Sequence, residues 1–443
     1  MDSTSDKRAY ISFLLILAWV PLPLASHRLW SLSLLCILVF LLAAFQLFQG
    51  LRGHCQLSTP LRKSWPVILL FALGVGWTTV QSVPSLSLSI SPVDTQHAAL
   101  SGWCYLLMFC LALQLVNSSQ RVRTTGYVLV GSALFQAVYG SLMALSGLEY
   151  TFLIPKDSYI GVSTGTFINR NSQAAYLVIC LSVGVGLMIA TLSDNPAGTW
   201  REVSRRWLQA LLGKKIILRI ALLIIVAGLV MTHSRMGNTA FFASLLVLGV
   251  VGLLLGRQRS RSYVLLLASL VVLDIFVVGT FFGVEQVAAR LQTTSLEKEA
   301  RDEVARNTVE LMQVQLLPGT GAGSYYTAFP EYRTEDVGKG FYVNAHNDYL
   351  EFTTEFGLLG AVPLGLAVLA SLIAALRALS SRKSKTLRGI AFGSAMSMLA
   401  MGIHATVDFN LQIPANSVTF MVVLALAWVA LFMDNRRGGR MVR

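Results

Sequence analysis

Charge is what this chain has least of. Only 13% of its 443 residues are Asp, Glu, Lys or Arg, while 54% are hydrophobic. A soluble domain carries about 25% charged residues, so a water-surrounded globule is excluded. Cysteine is scarce too. Cys36, Cys104, Cys110 and Cys180 fall inside apolar runs and Cys55 in a short polar connection, which leaves no disulfide framework and no metal-type cysteine pair. His346, Asp348 and Glu351 are ligand-type residues close in sequence, but they match neither His-Glu-x-x-His nor a calcium loop, so no structural metal is expected. The net charge of +13 does not indicate nucleic acid, because the cations sit in short runs between apolar segments and not on one face.

Long apolar runs are what the chain has in abundance. Runs of roughly 17–25 apolar residues cross a bilayer as helices. They centre on residues 10–26, 30–49, 66–82, 97–116, 125–147, 173–192, 216–232, 238–256, 263–283, 357–376, 388–404 and 416–433. The expected fold is therefore all-α, a polytopic membrane protein of about 12 helices. The first run ends in Leu24-Ala25-Ser26 like a signal peptide, but Trp19, Pro21 and Pro23 favour a retained anchor. With the N-terminus inside, the inner connections hold 25 of the 35 Lys and Arg residues and the outer ones ten, as the positive-inside rule requires. Both termini are then expected in the cytoplasm.

The runs divide the chain into four blocks: 1–160 with spans one to five, 161–283 with spans six to nine, a large outer loop at 284–356, and 357–443 with the last three spans. Part of the loop reads as helix. Thr294-Ser-Leu-Glu297 is a capping box, Leu296, Ala300, Val304 and Leu311 follow at near-helical spacing, and Pro318-Gly319 stops the run. Gly319-x-Gly321-x-Gly323 lacks the strand and helix of a phosphate loop and reads as a flexible turn.

Four polar clusters fall on the outer side at the ends of these spans. They are Gly165-Thr-Phe-Ile-Asn169-Arg170-Asn171, Thr232-His233-Ser234-Arg235-Met236-Gly237, Asn344-Ala-His346-Asn347-Asp348-Tyr349-Leu-Glu351 running on to Glu355, and His404-Ala-Thr-Val-Asp408-Phe-Asn410-Leu-Gln412-Ile-Pro414. A bilayer admits such groups only where they face water, a partner or a substrate. Snorkelling to lipid headgroups is the simplest reading of Arg28 and Lys156. The Asn, Ser and Gly neighbours of Arg170 and Arg235 point instead to turns built to present those side chains. His346 suits proton exchange near neutral pH, although Asn347 or Asp348 beside it would also cap a helix starting near Tyr349. His404 and Asp408 are four apart and would share a helix face. His233, Glu351 and Glu355 read as supporting groups.

In this order, Gly-Thr-Phe-Ile-Asn-Arg170-Asn, His-Ser-Arg235-x-Gly, Gly-x-Gly-x-Gly-x-Tyr and Ala-His346-Asn-Asp-Tyr-Leu-Glu-x₃-Glu-x-Gly resemble the O-antigen ligase and polymerase family of bacterial envelope glycosyltransferases, over residues 160–415. The closing Val407-Asp408-Phe-Asn410-Leu-Gln412-Ile-Pro414-Ala-Asn resembles members found with exopolysaccharide clusters. Met236 departs from the family, which often has a second Gly there. The resemblance implies a GT-C-like enzyme of the bacterial inner membrane with its site facing the periplasm. The donor would be a glycan on undecaprenyl diphosphate and the acceptor a second glycan, lipid A-core or a protein hydroxyl, leaving room for a chain-length regulator as partner; no cofactor is implied, because the lipid carries the activated sugar. By the same resemblance Arg170, Arg235 and His346 are the catalytic residues. Asn169, Asn171, Ser234, Asn347, Tyr349, Glu351, His404 and Asp408 would contact substrate, with Asp408 or Glu351 orienting His346. A twelve-helix transporter is the rival, but it would show two similar halves about a long inner loop and ionisable groups near the midplane. Here the longest loop is external and the charges gather at the rim.

Overall fold

Caps set where the helices begin. The side chains of Ser118, Asn169, Asn347 and Ser384 each accept a hydrogen bond from a backbone N–H of the following turn, those of Arg121, Asn171, Leu350 and Leu387. The computed structural model describes residues 4–191, 214–255, 302–334 and 342–434. Its long helices are α1 (Thr4–Trp19), α2 (Leu29–Leu51), α3 (Trp65–Gln81), α4 (Pro92–Leu115), α5 (Ser119–Ser146), α6 (Arg170–Ala190), α7 (Lys214–Met231), α8 (Arg235–Leu255), α9 (Asp348–Ser381), α10 (Lys385–His404) and α11 (Pro414–Phe432). A two-residue-per-strand hairpin, β1 (Tyr150–Thr151) and β2 (Ile154–Pro155), lies between α5 and α6.

Helices occupy each expected span except the ninth, 263–283, which lies outside the described residues. Eight of them, α2, α4, α5, α6, α8, α9, α10 and α11, are long and apolar enough to cross a membrane, while α3 and Ile216–Met231 of α7 are apolar but shorter. The first expected span is cut short. Helix α1 stops at Trp19, and the chain turns through Pro21 and Pro23, which cannot continue it, before α2 begins.

The centre of the bundle is α6, with α10 and α11 against it. Gly186 of α6 faces Gly389 of α10 so closely that a Cβ on either would run into the other's carbonyl oxygen, and a Cβ on Gly393 would lie 2.7 Å from the Ser182 carbonyl oxygen. Small residues let helix backbones approach in a membrane, where van der Waals packing drives association. The outer helices expose large apolar side chains instead, among them Ile37, Leu41 and Leu47 of α2. The four sequence blocks interleave, for α5 packs along α6 and α7, α3 along α9, and α4 along α11.

Within the stretch expected as the large loop, residues 302–314 are helical, while the capping box at Thr294–Glu297 lies outside the described residues. Val304 and Leu311 are buried as their spacing predicts, in a small core with Tyr325, Ala328, Phe329 and Ala345. This core touches the residue just before His346.

Candidate active site

The His346 segment is set by the start of α9. Asn347 caps that helix by accepting from Leu350 N at 3.1 Å, and its amide donates to the Thr406 carbonyl at 3.0 Å. Asp348 N–H donates to the carbonyls of Ala405 at 2.9 Å and Asp408 at 3.0 Å, while its carboxyl accepts from Leu411 N at 3.2 Å. Tyr349 adds a bond from its hydroxyl to the Gly402 carbonyl at 2.9 Å. The segment and the 405–411 turn are thus stitched into one unit. His346 itself has φ +51°, a left-handed conformation unusual for a side chain with a Cβ. An outlier of this kind persists only where its surroundings over-determine it.

Two carboxylates further along the chain act around that residue, and they do different work. Glu351 clasps the chain before it, one oxygen accepting from Asn344 Nδ2 and the other from Ala345 N, both at 2.7 Å. Asp408 faces the imidazole: His346 Nδ1 lies 3.8 Å from its Oδ1, and His404 Nε2 lies 3.9 Å from its Oδ2. Burial alone would raise the Asp408 carboxyl, but His346, with His404 and the Phe409 N–H, outweighs it and holds the group below the usual carboxylate range. Phe409 also packs edge-on against the His346 ring, centroids 5.0 Å apart. The His346 side chain is 29% exposed, with Nδ1 turned inward. Nε2 is therefore the nitrogen left to meet a substrate.

Arg170 and Arg235 occupy equivalent places, each the first residue of a helix, α6 and α8. Those first turns touch, since a Cβ on Gly237 would lie 2.7 Å from the Ala174 methyl. Arg170 is half-buried, with its guanidinium 5.5 Å from the centre of the Tyr159 ring. Arg235 is exposed. A helix start is electropositive, so the two guanidinium groups add to two aligned dipoles. The α6 start is joined to the 405–413 turn by Asn416, whose amide donates to the carbonyls of Ser172 and Asn410 at 3.1 Å each. All four sequence clusters therefore gather at one end of the bundle.

Several sequence expectations change. Asp408 does not continue the helix of His404, because α10 ends at His404 and the chain turns before Asp408; the Asp348 N–H captures the freed carbonyls there and the pair still meets. Asn169, Ser234, Asn347 and Glu351, read as substrate contacts, have partners within the protein: Asn169 and Asn347 cap α6 and α9, and Ser234 caps α8 by accepting from Gly237 N at 3.2 Å. Asn171 and Tyr349 stay accessible, with Tyr349 54% exposed. Lys156 does not snorkel. It pairs with Glu149 at 2.7 Å and donates to the Val162 carbonyl, bracing the loop that leads to Arg170. The Gly319–Gly323 turn is packed, not open. Gly357 breaks α9 at φ +60°, and residues 316–321 run along the break, with hydrogen bonds Thr320 N to Thr354 O, Gly321 N to Glu355 O, Leu358 N to Leu316 O and Leu359 N to Leu317 O. Only glycine fits at Gly319, where a Cβ would strike the α9 backbone.

Sequence reasoning missed Asp348 as a clamp, Asn416 as a bridge and Tyr159 as the ring beside Arg170. The first two sit in quoted motifs; nothing in the sequence marks the third. Among the described residues no group of three His, Cys, Asp or Glu is placed to hold a metal ion.

A comparison with curated proteins finds no match. Residues 220–365 match the family described as O-antigen ligase, a stretch that contains Arg235, the glycine turn and the His346 motif but not Arg170 or Asp408. The chain thus carries an O-antigen ligase family domain at residues 220–365 of a many-helix membrane bundle.

Proposed function

We propose that the protein is a membrane glycosyltransferase that moves a glycan from undecaprenyl diphosphate to an acceptor hydroxyl at the outer face of the bacterial inner membrane. The observation that carries this reading is the gathering, at one end of the bundle, of two helix-start arginines with a left-handed His346 backed by Asp408. Basic inner connections support placing that end in the periplasm and both termini in the cytoplasm.

The chemistry follows from the residues. The acceptor oxygen attacks the anomeric carbon, the bond from that carbon to the phosphate oxygen breaks, and the lipid diphosphate leaves with the electron pair. Arg170 and Arg235 hold the phosphates by charge-assisted hydrogen bonds and stabilise the charge that builds there. His346 takes the acceptor proton on Nε2 while Asp408 stabilises the imidazolium through Nδ1. Glu351 is not the orienting carboxylate, since both its oxygens are already taken.

Two lipid-linked glycans are the favoured reactants, a polymerase reaction, because the 407–416 motif resembles exopolysaccharide members. Transfer to lipid A-core is the second reading, favoured by the description of the matching family. Purified protein in nanodiscs with its lipid-linked repeat, beside His346→Ala, separates them. A ladder from wild type alone supports polymerisation, and products that form only when lipid A-core or protein is added support ligation. No product from a verified donor with any acceptor returns the protein to the transporter class.

A further inference from the structure

His404 has no part in the chemistry just described, yet its position is costly. It closes α10, is 0% exposed, and neither ring nitrogen has a hydrogen-bond partner. Buried polar groups are normally satisfied, so one left without a partner calls for an explanation. The polar group in front of it is Asp408, whose Oδ2 lies 3.9 Å from His404 Nε2 while Oδ1 lies 3.8 Å from His346 Nδ1. Each oxygen of one carboxylate thus faces a different imidazole, and Phe409 N–H donates to Oδ1 at 3.1 Å. Both separations are slightly longer than hydrogen bonds. Such contacts often tighten only when substrate binds.

We propose that His404 is a positioning residue for glycosyl transfer, holding Oδ2 of Asp408 so that Oδ1 stays aimed at His346. The proposal rests on the transfer reaction assigned above to His346. His404 touches no substrate and gives up no atom. Its Nε2–H donates to Oδ2, which fixes the plane of the carboxylate. When His346 accepts the acceptor proton, Oδ1 closes on its Nδ1–H without having to be reoriented. The three groups come from three chain segments: the end of α10, the turn after it and the residue before the α9 cap. The stitching of Asp348 to Ala405, Asp408 and Leu411 keeps them in register.

The test uses two polar substitutions of similar bulk in the full-length protein in nanodiscs, with the lipid-linked repeat as donor. His404→Gln places an amide N–H near the Nε2 position, while His404→Asn is too short to reach Asp408. Expected is a loss of about tenfold or more in kcat for His404→Asn with KM for the donor unchanged. His404→Gln should recover most of that loss. In an Asp408→Asn background His404→Asn should cost nothing further, because residues acting through one contact are not additive. Equal and full activity of both variants overturns the proposal, as does an equal loss in both accompanied by a raised KM and a lowered melting temperature, the signature of a merely structural residue. Multiplicative losses with Asp408→Asn overturn it as well. If wild type itself transfers nothing from a verified donor, the reading of His346 falls and the proposal with it; an active wild type with an unaffected His404→Asn removes the proposal alone.

Discussion

Removing the Glu351 clasp should separate the pose of His346 from its chemistry. Glu351 is buried, 1% exposed, and its two oxygens hold Asn344 Nδ2 and Ala345 N–H at 2.7 Å each. Glu351→Ala deletes both bonds and leaves the Ala345 N–H buried. At about 1.5 kcal/mol for each, about 3 kcal/mol of the free energy fixing residues 344–346 is lost. His346 is left-handed there, a conformation that costs roughly 1–2 kcal/mol for a residue with a Cβ, so the chain has reason to leave it. Since about 1.4 kcal/mol is tenfold in an equilibrium, the posed fraction and with it kcat should fall about a hundredfold. Glu351→Gln is the control. Its oxygen still serves Ala345 N–H, and its NH₂ can donate to Asn344 once that amide turns over, so its loss should stay within about tenfold. Steady-state kinetics in nanodiscs, with melting curves to confirm the fold, decide the matter. A Glu351→Ala enzyme with wild-type kcat, or a Glu351→Gln enzyme as damaged as it, refutes the clasp.

Arg235→Lys should lower kcat by about a hundredfold, because an ammonium cannot present the planar fork that grips a diphosphate; near-normal turnover means that the side chain only meets headgroups. The Asp408 carboxyl is held below its ordinary range, so its contribution to stability is present above that range and is lost as pH falls through its folded value. Melting curves from pH 6 down to about 3 should show Asp408→Asn losing less stability than wild type on acidification, and parallel curves would contradict the pairing. Gly389→Val pushes two branches into the carbonyl of Gly186 and should cost about 1–3 kcal/mol, read as a lower melting temperature in detergent. An unchanged temperature would mean that α6 and α10 do not approach as described.

Apolar length made the bundle legible, because span boundaries are fixed by the bilayer and not by side-chain detail. The gathering of His346, Arg170 and Arg235 at one end of the bundle was legible for the opposite reason, because they are polar where polarity is expensive. The supporting residues were not. Asn169, Ser234 and Asn347 are the types that both cap helices and bind sugars, and only the hydrogen bonds at 2.7, 3.2 and 3.1 Å tell the two uses apart. Lys156 was misread because its partner Glu149 lies across a hairpin, at a separation no helical spacing reveals. The carboxylate between His346 and His404 is half visible, since the four-residue spacing of His404 and Asp408 is in the sequence but the turn that frees Asp408 from the helix is not.

The break in α9 at Gly357 bears on how the protein meets bilayers of different thickness. A helix whose apolar stretch does not match the hydrocarbon core tilts or shifts, at a fraction of a kcal/mol per Å. Past Leu359, α9 can make that adjustment. Residues 348–359 are tied to 316–321 and to 402–411 and do not follow. Changing acyl-chain length should therefore move the remainder of α9 and leave His346 and Asp408 in place.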